Sequence, residues 1–85
     1  MTPQEKKETF ARVFPRRVEK LIDGLRVLGN CSNKSGYTWD QATVHDTWVQ
    51  IGIIFCQAAA SFGVEFKLLV DGEQVEYAKR KSTRS

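Results

Sequence analysis

No stretch of this 85-residue chain is apolar for long enough to cross a membrane. The most apolar part, between Trp48 and Phe66, is interrupted by four polar side chains, whereas a spanning helix needs about 20 mostly apolar residues. The N-terminus carries lysines and glutamates with no apolar segment after them, so we expect no secretory signal. The sequence therefore predicts a cytoplasmic protein with no membrane partner.

Cysteine and histidine are scarce as well, with two cysteines and one histidine in the chain. Isolated cysteines in a cytoplasmic protein are more often free thiols than a disulfide. A zinc site needs four ligands, and Cys31, His45 and Cys56 lack both the number and the paired spacing. The sequence gives His45 no clear catalytic partner, since neighbouring residues on a helix, such as Asp46, point about 100° apart. We therefore expect His45 to be a surface histidine.

Catalytic motifs are also missing. The six glycines form no phosphate-binding or dinucleotide-binding pattern, and no serine lies in a nucleophile elbow. We therefore expect no enzyme activity, no metal and no cofactor.

The most informative feature that is present is an amphipathic helix with two apolar seams, predicted between Thr38 and Gly63. Thr38 and Gln41 form a capping box, which predicts a start near Trp39, and Gly63 predicts a stop after Phe62. Such a helix must be covered on two sides, and Trp48 and Phe55 are expected in the core. The first seam consists of Val44, Trp48, Ile51, Phe55, Ala58, Ala59 and Phe62, and the second of Val49, Ile53, Cys56 and Ala60.

A second helix is predicted before it. Thr2, Pro3 and Glu5 form a capping box with proline in the first turn, and Gly29 is expected as a left-handed C-terminal cap. The pattern favours one long helix kinked at Pro15, although two short helices meeting there fit it too. One apolar face results, made of Phe10, Phe14, Val18, Leu21, Ile22, Leu25 and Leu28.

The residues after Gly63 predict a β-hairpin. Side chains alternate from Val64 to Val70, and Asp71-Gly72 is a strong signal for a two-residue turn that places Leu68 opposite Val75 and Phe66 opposite Tyr77. Its apolar face should cover the second seam. The alternative cover is a twofold-related copy, which would give a homodimer through Val49, Ile53, Cys56 and Ala60.

The predicted fold is therefore α+β, an antiparallel helical hairpin with a C-terminal two-stranded β-hairpin packed on it. We expect a single small domain over residues 1–78 and a basic flexible tail over residues 79–85.

Charge is concentrated at the two ends. Residues 1–34 carry eight basic and four acidic groups. Residues 35–66 carry no basic and three acidic groups, and residues 67–85 carry five basic and three acidic groups. Basic ends can steer a protein toward nucleic acid, although no aromatic residues interleave with them for base stacking. The nucleic-acid alternative would use Lys79, Arg80, Lys81 and Arg84.

The loop from Gly29 to Tyr37 is rich in Asn, Ser and Gly. Its polar side chains can hold one backbone shape, which is a structural role, or they can recognise a partner. If the loop recognises a partner, the expected partner-binding residues are Arg16, Arg17, Lys20, Asn33, Lys34 and Tyr37.

The loop also carries a resemblance. Its residues Gly29, Asn30, Ser32, Asn33, Ser35, Tyr37 and Thr38 resemble a Gly-Asn-x-Ser-Asn-x-Ser loop between two helices, found in short proteins of phages, plasmids and other bacterial mobile elements. The resemblance covers about half of the chain. It implies a small accessory protein of a mobile element, a class that includes inhibitors of host defence such as anti-CRISPR proteins.

The expected function is therefore non-enzymatic binding of a host protein or protein complex. An inhibitor of host defence is one specific form of this function. The alternative is a small basic regulator that binds nucleic acid.

Overall fold

The structure, a computed structural model, describes residues 1–78, and residues 79–85 of the expected basic tail lie outside the described residues. The α+β class with a C-terminal β-hairpin is confirmed. The chain divides into two units, Met1–Trp39 and Asp40–Ser85, and the single domain expected over residues 1–78 stays a prediction. The elements in chain order are α1 (Pro3–Asn30), α2 (Gln41–Ala60), β1 (Leu68–Val70) and β2 (Glu73–Val75).

Helix α1 begins with the predicted capping box. Glu5 N–H donates to Thr2 Oγ1 at 3.1 Å, and Thr2 N–H donates to Glu5 Oε1 at 2.8 Å. One helix continues through Pro15, so two separate short helices are ruled out. The expected cap at Gly29 is wrong, because the helix runs on to Asn30 and ends at Cys31 in a right-handed conformation.

Helix α2 begins two residues later than predicted. Asp40, and not Thr38, is the N-cap, because its Oδ2 accepts hydrogen bonds from both N and Oγ1 of Thr43 at 2.8 Å. The predicted capping box of Thr38 and Gln41 is therefore wrong.

The end of α2 is a Schellman motif around Gly63. Gly63 N–H donates to Ala60 O at 2.9 Å and Val64 N–H donates to Ala59 O at 3.0 Å, while Gly63 has φ +81°. The regular helix ends at Ala60 rather than Phe62, and the predicted stop at Gly63 is confirmed.

The hairpin has the predicted turn and register. Leu68 pairs with Val75, and both turn residues have positive φ, 51° at Asp71 and 85° at Gly72, as a type I′ turn requires. The strand pairing is shorter than predicted, since β1 starts at Leu68 and not at Val64.

Beyond the paired strands, the two arms of the hairpin stay connected. Tyr77 Oη donates a hydrogen bond to Phe66 O at 2.5 Å. These are the two residues that the alternation placed opposite each other, but a side chain rather than a backbone pair joins them.

The hairpin packs on α2, and its contacts include Phe55 of the first seam, where the prediction had placed it on the second seam. Leu68 lies over Gly52, so close that a Cβ built there would be 3.0 Å from Leu68 Cδ1, and the Phe66 ring meets Phe55 edge-on at 5.1 Å. Cys56, on the same side of the helix, is 2% exposed and is the one buried residue of the described chain. This contact is the core of the C-terminal unit.

The homodimer suggested through Val49, Ile53, Cys56 and Ala60 stays a prediction. Cys56 is buried within the chain, whereas the other three residues are half-buried.

Candidate partner-binding surface

Helix α1 of the N-terminal unit carries an apolar face whose residues are exposed or half-buried. We call it the α1 apolar face, and it consists of Phe10, Phe14, Val18, Leu21, Ile22, Leu25 and Leu28. None of the 28 residues of α1 is buried, and Leu21 is 56% exposed. The rings of Phe10 and Phe14 stack with centroids 4.7 Å apart, so these two side chains form a joint aromatic surface.

Basic side chains border the α1 apolar face. Arg16, Arg17 and Lys20 surround Val13 in a shallow hollow of about 180 Å³. Each is exposed, and none has an ion-pair partner among residues 1–78. These three of the predicted partner-binding residues therefore lie together and carry uncompensated charge.

The three predicted loop residues have mostly structural contacts. Asn33 Oδ1 accepts hydrogen bonds from N and Oγ of Ser35 at 3.1 and 2.7 Å, which makes an Asx turn. Lys34 Nζ lies 4.6 Å from the centroid of the Trp39 ring, a cation–π contact. Tyr37, in contrast, is 55% exposed and available to a partner.

The predicted site is not one patch. Helix α1 continues for 13 residues between Arg17 and Asn30, which separates the arginine cluster from the loop by about 20 Å along the helix axis. A partner that contacts both regions must therefore extend along the helix.

Two side chains of α2 that the sequence placed in the core are largely exposed. Trp48 is 42% exposed and Phe55 is 49% exposed, so the expectation that both are buried is wrong. The hairpin covers only one side of the helix. No sequence signal could have shown this, because periodicity tells which residues share a face and not what covers it.

His45 contacts two carboxylates. Its Nε2 lies 3.2 Å from Asp71 Oδ2 and its Nδ1 lies 3.8 Å from Asp46 Oδ1, which ties the hairpin turn to the first turns of α2. Within residues 1–78, no cluster of three or more His, Cys, Asp or Glu side chains is arranged to hold a metal ion. Both cysteines are free, with Cys31 exposed.

Neither described helix is long and apolar enough to cross a membrane. No protein-family model, curated protein or solved structure matches this chain.

Proposed function

We propose that this chain is a non-enzymatic accessory protein that binds a host protein or protein complex through the α1 apolar face. One observation supports this most strongly: a 28-residue amphipathic helix in which no residue is buried. Exposed apolar surface of this extent commonly marks a binding site, since its transfer out of water is a main driving force of association.

The biological setting is part of the same proposal. The Gly29–Tyr37 loop resembles loops in small mobile-element proteins, and such proteins act in the cytoplasm of a bacterial host. An inhibitor of a host defence system, of the anti-CRISPR kind, is the specific form that we propose for further testing.

A nucleic-acid-binding regulator is the second candidate, and the basic side of α1 favours it. Arg12, Arg16 and Lys20 follow one another at four-residue intervals with no acidic partner among the described residues. Against it, residues 40–78 carry six carboxylates and a single basic side chain, Lys67, and would be repelled by phosphates. Nucleic acid bound to the basic side of α1 would also make no contact with the apolar side chains of the α1 apolar face.

The test is co-purification from cells of the native host with the parent chain and two double variants. The double variant Phe14→Ala with Leu21→Ala should no longer co-purify with a stoichiometric protein partner, because both substitutions remove large apolar side chains from the α1 apolar face. A matched control, Gln4→Ala with Thr9→Ala, lies away from the centre of that face and should retain the partner.

Duplex DNA is titrated in parallel at physiological salt. We expect binding no tighter than the nonspecific range of about 10⁻⁴ to 10⁻⁶ M. A tight, sequence-selective DNA complex, or a partner held equally by both double variants, would contradict protein binding through this face.

A further inference from the structure

A polar contact joins the hairpin to α2 near each of the hairpin's ends. At the turn, His45 Nε2 lies 3.2 Å from Asp71 Oδ2. At the other end, Gln57 Nε2 donates a hydrogen bond to Ala78 O at 2.8 Å. The apolar contact of Leu68 with α2 lies between them. Of the two polar contacts, only the one at the turn contains a side chain that ordinarily changes its charge near neutral pH.

Two carboxylates face the ring of His45, one from each element that surrounds it. Asp71 comes from the hairpin, and Asp46 comes from α2, with its Oδ1 3.8 Å from His45 Nδ1. Lys67 is the one basic side chain of residues 40–78, and it forms no ion pair with either carboxylate within the described part of the chain. The imidazole therefore lies between two negative charges without a competing cation from these residues.

The protonated ring is the form that suits both carboxylates. A neutral imidazole has a proton on one nitrogen and a lone pair on the other, so each neutral tautomer directs a lone pair at one of the two carboxylates. The imidazolium ion has a proton on both nitrogens, and its charge attracts a carboxylate over 3–4 Å, which are the distances to Asp71 and Asp46. The contact is therefore strongest when His45 is protonated.

From this geometry we propose that His45 is a pH-dependent latch: the protonated ring holds the turn of the hairpin on α2, and loss of the proton weakens that contact. Since the closed hairpin binds the proton more favourably than the open one, a fall in pH favours closing and a rise in pH favours opening. Histidine side chains ordinarily change charge between about pH 5 and 8, which sets the window. The latch needs only α2 and the hairpin, so it is separate from the proposed partner binding.

The test measures how readily the hairpin opens, with Cys56 as the reporter. This thiol is 2% exposed on the side of α2 beneath the hairpin, so it should react only when the hairpin opens. A pyridyl disulfide reagent is used at about pH 5.5 and about pH 8, at the two ends of the window. Mass spectrometry separates Cys56 from the exposed Cys31. Because thiolates react faster than thiols, each variant is compared with the parent at the same pH.

Two variants remove the two partners of the latch. His45→Gln removes the titrating ring and keeps a good helix former, and Asp71→Asn removes the carboxylate while asparagine before Gly72 suits a type I′ turn. At about pH 5.5, each should raise the reaction rate of Cys56 about threefold. The double variant should raise it no further, because both substitutions remove the same contact. At about pH 8, the increase should be less than about 1.5-fold.

Glu73→Gln is the matched control for Asp71→Asn. Each removes one carboxylate from the hairpin and changes the formal net charge from +3 to +4, but Glu73 forms no ion pair with His45 within the described residues. The control should stay within about 1.5-fold of the parent at both pH values.

Three outcomes would overturn the proposal. His45→Gln could raise the Cys56 rate equally at both pH values, which would make the contact independent of the proton. Asp71→Asn could behave like Glu73→Gln, which would remove Asp71 as the partner. The effects of His45→Gln and Asp71→Asn could also multiply in the double variant, which would show that the two side chains act separately.

Discussion

At the scale of single residues, backbone conformation decides how replacing a glycine changes the stability of the protein. Gly63 has φ +81°, a conformation that costs an L-residue about 1–2 kcal/mol, whereas Gly24 lies inside α1 with open space around its Cα.

We therefore expect Gly63→Ala to destabilise the protein by about 1–2 kcal/mol, and Gly24→Ala to stabilise α1 by about 0.5–1 kcal/mol. Urea unfolding followed by circular dichroism measures both changes. Equal shifts of the two midpoints would contradict the assigned end of α2.

The N-cap of α2 should make stability depend on pH in acid. The hydrogen bonds that Asp40 accepts from the side chain and then the backbone of Thr43 lower the pKa of its carboxyl group below the ordinary value. A carboxylate with a lowered folded-state pKa stabilises the fold above its unfolded-state pKa of about 3.9, and this contribution is lost as the pH falls through the folded-state value.

Asp40→Asn is the control, because asparagine caps a helix without titrating. The parent should lose stability relative to this variant only below about pH 4. Thermal melts between neutral and strongly acidic pH test this, and a constant difference between the two proteins across that range would show that Asp40 is not the cap.

The two cysteines should differ in reactivity. Cys31 is exposed and Cys56 is 2% exposed beneath the hairpin, so a thiol reagent should modify Cys31 at once and Cys56 only when the hairpin opens. Mass spectrometry of a timed alkylation measures both rates in one sample. Equal rates would mean that the hairpin does not protect this side of α2.

At the scale of the elements, the contact of Leu68 with Gly52 links the hairpin to α2. A Cβ at position 52 would lie 3.0 Å from Leu68 Cδ1, closer than side chains normally pack, so Leu68 must move to admit it.

Replacing glycine by alanine in a helix interior normally raises the free energy of unfolding by about 0.5–1 kcal/mol. The rise for Gly52→Ala should therefore be smaller. Adding Leu68→Ala should recover the gain, with a coupling of about 0.5 kcal/mol or more in a double-mutant cycle. Additive effects of the two substitutions would place Leu68 away from Gly52.

At the scale of the whole molecule, Cys56 is the one buried residue among residues 1–78. The hairpin lies over this side of α2, while Trp48 and Phe55 are 42% and 49% exposed. Replacing a buried aromatic residue by alanine lowers the free energy of unfolding by about 3–5 kcal/mol. Trp48→Ala and Phe55→Ala should lower it by less, because both side chains are partly exposed.

Deleting residues 64–85 would remove the hairpin that lies over Cys56. We expect the truncated chain to aggregate or to change its oligomeric state, because apolar side chains of the second seam would then face water. Light scattering of the parent and truncated chains measures this. A soluble truncated monomer with a still unreactive Cys56 would contradict the hairpin as its cover.

Local signals predicted most of the secondary structure. The capping box at Thr2, the stop at Gly63 and the Asp71-Gly72 turn were correct because neighbouring residues decide them. The start of α2 was wrong because Thr38 and Asp40 both suit an N-cap, and the hydrogen bonds to Thr43 favour Asp40. Of the candidate site, Arg16, Arg17 and Lys20 do lie together, since three- and four-residue spacings bring side chains onto one side of any helix.

The sequence by itself therefore determined the elements, the hairpin register and the membership of each apolar face, because hydrogen bonding and periodicity act over a few residues. Only the tertiary structure decided that the hairpin buries Cys56 while Trp48, Phe55 and Leu21 are exposed. The physical reason is that apolar attraction has no direction: a pattern shows which side chains leave water together, and only the folded chain shows which surface they meet.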